Sequence, residues 1–471
     1  MMAPSLPATV STRPLAQVVA AGTEADGASL AVGGSTPWLL RFTAFSLFFF
    51  PSSMVIKDIG AAGTVPMILS CLLFVFWIAS WIWRLHDPVR IRYPGRLAGG
   101  IFALGIIASY IALYGGWTGE ASQTGLAAAD RWLILGFASV GLILVAAESV
   151  TSMADMMQLV RWLLAGAFFC GVVGLIQFTL HVNPMDWVKL AMPGFTYNGG
   201  DTPFQARGNL LRVAGSTFHS IEFGVVSAMV LPLSIWRALY DPRGWRWFHW
   251  LQTGLLVFAV AATVSRSGTL AAVVAIAVLL PFLPRIARQR TLTVLPFVVI
   301  TLFLAVPGFV GTLTEALGAD TTDPSIATRV NNYPRVARMI DDRPWFGVGP
   351  GNYTARGALE ILDNQYLNSI VSMGIVGIIC VFIYLVLPGV AALHSARHAV
   401  SPALRCLAGA SAAGLFVAAV CSVTFDSLSF PTFALSYPLL VGLSGAIWIL
   451  VKNEGTSLGL TAPSQQTNRM D

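Results

Sequence analysis

Apolar runs of about twenty residues alternate along this chain with short polar stretches, and their length is the ruler for what they form. A hydrocarbon core of about 30 Å takes roughly 20 apolar residues per helix. On that measure spans are expected near 37–56, 62–84, 97–115, 130–149, 157–181, 219–240, 247–264, 267–284, 291–311, 364–388, 402–423 and 431–451. The expected fold is all-α, a polytopic membrane protein of about twelve transmembrane helices with a structured external loop. Its parts are a tail over 1–36, helices one to nine over 37–311, a loop subdomain over 312–363, helices ten to twelve over 364–451, and a tail over 452–471. Within the loop, helical stretches are expected at 325–341 and 351–362, parted by the turn-rich Asp342-Arg343-Pro344 and Gly347-Val348-Gly349-Pro350-Gly351. The first 36 residues lack the basic-then-apolar order of a signal peptide, and both polar tails are expected to be disordered on one face.

Composition strengthens the membrane assignment. The chain is 56% hydrophobic, 11% charged and has a mean hydropathy of +0.72, where a soluble domain carries about 25% charged residues. The net charge of +6 therefore does not point to nucleic acid. Its excess lies in short loops, as orientation signals do. With the N-terminus in the cytoplasm, Arg84, Arg90, Arg92, Arg96, Arg237, Arg243, Arg246, Arg285, Arg288, Arg290, Arg397 and Arg405 all fall inside, and the loops at 116–129 and 424–430 hold no Lys or Arg. This places the protein in the cell inner membrane with both termini cytoplasmic. Two outer loops escape the rule: 182–218 with Lys189, Arg207 and Arg212, and 312–363 with Arg329, Arg335, Arg338, Arg343 and Arg356. Cys71, Cys170, Cys380, Cys406 and Cys421 show no CxxC spacing, so neither a metal site nor a disulfide framework is expected.

Charges at the edge of apolar runs are the candidates for chemistry. Arg266 stands in Ser265-Arg266-Ser267-Gly268 between two runs, either snorkelling to the interface or marking a site that small neighbours leave open. Glu222 falls about a turn inside the sixth span, where a salt bridge with Arg212 or Arg266 and a direct role are both open. His219, near the start of that helix, reads as a cap neighbour or a ligand contact. Asp363 is placed to cap the tenth helix and equally to act as a general base. Arginines meeting in one outer cavity would suit a pyrophosphate, since guanidinium forks match phosphate oxygens and need no metal to do so.

Four fragments then resemble one family. Arg212 through Gly224, with Gly215-Ser216-Thr217-Phe218 at its centre, is similar to the RxxGTFxxPNxFG element of the O-antigen ligase and polymerase superfamily. Ser265-Arg266-Ser267-Gly268 resembles its SRSG element, and Arg329 through Tyr353, ending Gly347-Val348-Gly349-Pro350-Gly351-Asn352-Tyr353, resembles its external-loop element. Asp363-Asn364-Gln365-Tyr366-Leu367 with Gly374 and Gly377 looks like the start of the helix that follows.

The resemblance implies a GT-C-type membrane glycosyltransferase. The donor would be an undecaprenyl-diphosphate-linked oligosaccharide, the acceptor a glycan or lipid-linked glycan, and further partners envelope-glycan assembly proteins. The reaction would invert the anomeric carbon, with no cofactor and no metal. Carried over, Arg212 and Arg266 would hold the pyrophosphate, with Arg329, Arg335, Arg338, His219, Asn364 and Tyr366 around the substrate and Asp363 or Glu222 as base. Asp363 stands where the ligases have His, which favours an exopolysaccharide polymerase or a ligase of another acceptor. The rival class is a lipid-linked glycan transporter or flippase, for which internal repeats or broken helices would be the sign.

Overall fold

A computed structural model of the chain describes residues 35–87, 92–119, 122–207, 210–305, 324–353 and 360–457. Its helices are α1 (Trp38–Phe49), α2 (Val65–Ile82), α3 (Pro94–Tyr114), α4 (Gln123–Ser149), α5 (Met153–Leu180), α6 (Met185–Leu190), α7 (Ser220–Tyr240) and α8 (Arg246–Ala262). They continue as α9 (Arg266–Leu279), α10 (Arg285–Ala305), α11 (Pro324–Asp342), α12 (Gln365–His398), α13 (Pro402–Cys421) and α14 (Pro431–Ser457). Among the described residues two small antiparallel strand pairs accompany them: β1 (Met54–Val55) with β2 (Thr196–Tyr197), far apart in the chain, and the hairpin of β3 (Phe204–Arg207) with β4 (Leu210–Val213).

Every expected span contains a helix, and among the described residues eight helices (α2, α3, α4, α5, α7, α12, α13 and α14) are long and apolar enough to cross a membrane. α1 and α9 are shorter apolar helices. α8 opens on Arg246, Trp247 and His249, and α10 on Arg285, Arg288 and Arg290, which dilutes their apolar character. Helix starts follow their sequence signals. Ser122, Ser152 and Ser401 cap α4, α5 and α13 through their hydroxyl oxygens, and Pro66, Pro94 and Pro402 sit in first turns where no amide is missed.

α13 lies innermost and α2 at the periphery. The run Ala408-Gly409-Ala410-Ser411-Ala412-Ala413-Gly414 explains the first, because small residues let helix backbones approach closely. A Cβ on Gly414 would sit 2.4 Å from the Met229 carbonyl oxygen of α7.

Part of the expected loop subdomain, residues 344–349, packs into α12. α12 breaks at Gly374 (φ 67°), roughly 14 Å down its axis at the usual ~1.5 Å rise per residue. Residues 344–349 fill the break. The amides of Val348 and Gly349 donate to the carbonyls of Val371 and Ser372 at 3.0 and 2.8 Å, and the amides of Ile375 and Val376 donate back to Pro344 and Trp345 at 2.8 and 3.3 Å. Ser109 of α3 donates to the Phe346 carbonyl at 3.1 Å. Irregular backbone at membrane depth survives only where protein satisfies its polar groups, and this insertion does so from both sides. The expected helix at 325–341 is present as α11. That at 351–362 is absent at 351–353 and 361–362, and 354–359 lie outside the described residues, as do 1–34, 306–323 and 458–471; α14 runs on to Ser457, into the expected C-terminal tail.

Candidate functional site

One end of the bundle gathers Arg212, His219, Glu222, Arg266 and Asp363 on four elements: the β3–β4 hairpin, the start of α7, the α8–α9 turn and the segment leading into α12. The hairpin pairs Gln205 with Arg212, which holds Arg212 beside α8. Its Nε donates to the Thr263 carbonyl at 2.7 Å. Thr263 ends α8, Val264 takes a left-handed φ of 45°, and Ser265 accepts from the Gly268 amide to cap α9, whose first residue is Arg266. The chain can turn this sharply because Gly224 and Gly268 leave room for Thr263; a Cβ on Gly224 would lie 2.8 Å from the Thr263 hydroxyl. Arg212, distant in sequence, is thus seated against the turn that carries Arg266, and both are half-buried.

His219 caps α7: its Nδ1 accepts from the Ile221 amide at 3.0 Å. Burial, and then the positive charge of Arg212, push its pKa down to about 4, so the ring is neutral at ordinary pH. With Nδ1 accepting, the ring proton belongs on Nε2.

Glu222 is fully buried and makes no salt bridge with Arg212 or Arg266 among the described residues. Instead one oxygen accepts from the amides of Thr432 and Phe433 at 2.7 and 3.0 Å, and the other from the Phe218 amide at 2.8 Å. Thr432 and Phe433 open α14, where free amides and the helix dipole favour a carboxylate. Glu222 therefore ties α7 to α14, and three amides occupy the lone pairs a base would use.

At α12 the cap is Asn364, not Asp363. Its Oδ1 accepts from the amides of Tyr366 and Leu367 at 2.9 and 3.3 Å, while Asp363 is exposed one residue earlier. Tyr366 donates to the Ala419 carbonyl at 2.9 Å, across the α12–α13 contact. Of the loop arginines, Arg335 pairs with Glu360 at 3.1 Å and stands over the Tyr353 ring, and Arg338 is exposed, its Nε 3.4 Å from the Pro334 carbonyl. Neither joins Arg212. Arg329 lies on α11, and its side chain is outside the described residues.

Two residues that sequence reasoning passed over complete the site. Asp426, in the α13–α14 turn, accepts from Asn368 Nδ2 at 2.7 Å and from the Ser429 hydroxyl. Burial pushes its carboxyl up to about 6; the Ser429 and Asn368 hydrogen bonds and the Arg131 charge oppose the rise, and Asp363 adds to it. Arg131, inside α4, donates from Nη2 to the Ser429 carbonyl at 2.8 Å, and its charge reaches both Asp426 and Glu222. The same turn is pinned by Gln365, whose Oε1 accepts from the Leu428 amide at 2.7 Å. A lone arginine inside an apolar run was the available signal.

Residues 251–382 match the family model described as O-antigen ligase. The match runs from α8 through the Arg266 turn and α11 to the break in α12, so it bears out the resemblance to the O-antigen ligase and polymerase superfamily on that stretch. It leaves Arg131, Arg212, Glu222 and Asp426 outside. No curated protein matches the chain. The match together with the apolar helices supports a multi-pass membrane protein with glycan chemistry of the O-antigen ligase or polymerase type.

Proposed function

We propose that this protein transfers or polymerises an undecaprenyl-diphosphate-linked glycan on the outer face of the inner membrane. The observation that carries the proposal is the Arg212–Thr263 hydrogen bond, which seats one arginine against the turn that presents another. Two guanidinium groups on one water-poor face suit a departing pyrophosphate, because their charge needs no reorganisation as the phosphate becomes more negative. In the reaction an acceptor hydroxyl oxygen attacks the donor's anomeric carbon, and the bond to the pyrophosphate oxygen breaks with its electron pair. The hydroxyl proton passes to a carboxylate, Asp363 in this reading, and configuration inverts. The arginines supply the charge stabilisation, so the step is drawn without a metal.

The transport alternative draws on one feature, the broken helix α12. In transporters the freed backbone groups of a broken helix coordinate cargo. Here the backbone of 344–349 already uses them, which favours the enzyme.

The test is to incubate the purified protein with lipid-diphosphate-linked oligosaccharide and resolve the products. Chain growth identifies a polymerase and a single transfer a ligase, while unchanged donor would refute both. The outward placement of the site is tested by reporter fusions: an external signal at Arg288, or a cytoplasmic one at Gly318, would overturn it.

A further inference from the structure

Two clusters flank the 426–430 turn, and their charges differ. On one side are Arg212 and Arg266, with the neutral His219 between the hairpin and α7. On the other side a single cation, Arg131, lies within range of two carboxylates, Asp426 and Glu222. A phosphate entering the second cluster would meet the Asp426 carboxyl beside Arg131, whereas an uncharged polyhydroxyl ligand carries no charge for it to repel. We propose that Arg131, Asp426 and Asn368 form a second subsite, which binds a sugar ring of the acceptor glycan through its hydroxyl groups.

The proposal rests on the transferase reading for the word acceptor, and on its own geometry for the sugar. Asp426 Oδ2 is engaged by Asn368 and Ser429, but Oδ1 is shielded from water and finds no hydrogen-bond donor among the described residues. A buried acceptor without a donor is costly and calls for a missing partner. Arg131 spends Nη2 on the Ser429 carbonyl, and its charge is felt by Asp426.

A sugar hydroxyl both donates and accepts, so one group can satisfy Asp426 and Arg131 together. Asn368 is fixed in orientation by its neighbours. Its Oδ1 accepts from the Ser372 hydroxyl at 2.7 Å, and the Ser372 carbonyl accepts from the Gly349 amide at 2.8 Å. The subsite is thereby locked to the inserted segment that fills α12. Arg131 itself stands at the start of the apolar run 130–149, and a charge at the edge of such a run is rarely idle.

The test uses the full-length chain in nanodiscs and two separate titrations. One ligand is saccharide released by mild acid from the source cell's own envelope polysaccharide, read by saturation-transfer NMR. The other is the lipid-diphosphate-linked donor. The wild type is expected to bind the saccharide, and Asp426→Asn and Arg131→Gln to weaken it by about tenfold or more with donor affinity unchanged. Gly100→Ala, outside the subsite and with nothing within 4 Å of its Cβ, should retain saccharide binding. If Arg131→Gln does not fold, Arg131→Lys takes its place with the same expectation. Saccharide affinity unchanged in the variants, no saccharide bound by the wild type, or both affinities falling together with thermal stability would each overturn the subsite. Saccharide bound as expected with no lipid diphosphate bound would sink the transferase reading and leave the subsite standing.

Discussion

The Nε of Arg212 lies 2.7 Å from the carbonyl oxygen of Thr263, three residues ahead of Arg266. One hydrogen bond thus ties the hairpin arginine to the turn that begins α9, where Arg266 stands. Replacing either arginine with lysine keeps the charge and removes the fork. Arg212→Lys also removes the Nε donor that Thr263 accepts. Each variant is expected to lower glycan transfer by about tenfold or more, measured as initial rate in nanodiscs. An unimpaired Arg266→Lys would mean that Arg266 only snorkels.

Glu222→Gln separates a tie from a base. The amide can still accept from Thr432 and Phe433, but its NH2 then faces the Phe218 amide, donor against donor. A loss of about 1–3 kcal/mol is expected, visible as a lower unfolding temperature in detergent. A variant of wild-type stability that has lost transfer would make Glu222 the proton acceptor instead.

The inserted segment should be intolerant of side chains at its glycines. Gly347 and Gly374 both have positive φ, and a Cβ on either would come within 2.3 Å of the other segment's backbone. Gly347→Ala and Gly374→Ala are expected to lower folded yield sharply, judged by size-exclusion of solubilised protein. Gly100→Ala, with nothing within 4 Å of its Cβ, should not. Equal yields for all three would mean that 344–349 does not occupy the break.

How much of this was legible follows from what leaves a mark in sequence. The helices did, because hydrocarbon demands long apolar runs whatever the tertiary fold. The cap of α12 was placed one residue early, since Asp363 and Asn364 are near-equal caps and only backbone geometry chooses between them. The partners of Glu222 were invisible: backbone amides at 432 and 433 carry no residue-type signal and lie about 210 residues away. The insertion of 344–349 hid for the same reason, with only Gly347, Gly349 and Gly374 to hint at close backbone approach. Arg131 was absorbed into an apolar run, and Asp426 into a loop notable only for lacking cations.

His219 gives a pH dependence with a definite sign. Its ordinary value is 6.5 and its folded value about 4, so the unfolded chain takes up a proton that the folded chain refuses. The stability tied to neutral His219 is therefore complete above 6.5 and is lost as pH falls through the window down to about 4. His219→Asn, which can still cap α7, should flatten the unfolding temperature across that window. A wild-type His219 resonance titrating near 6.5 would contradict the buried, neutral ring.

Asp363→Asn is the decisive substitution for the chemistry. The cap of α12 belongs to Asn364, so replacing the exposed Asp363 leaves it untouched, and folding and insertion should be unchanged. Asn364→Ala is the control, expected to cost about 1 kcal/mol of stability. If Asp363 accepts the acceptor's proton, Asp363→Asn removes a contribution of roughly 10²–10⁴-fold from the transfer rate, with donor affinity retained. Part of any smaller loss would be electrostatic, because the Asp363 charge acts on Asp426. A variant that transfers glycan at near wild-type rate would remove Asp363 from the mechanism. The proton would then go to Asp426, which keeps one oxygen without a donor among the described residues, rather than to Glu222, whose oxygens three amides already hold.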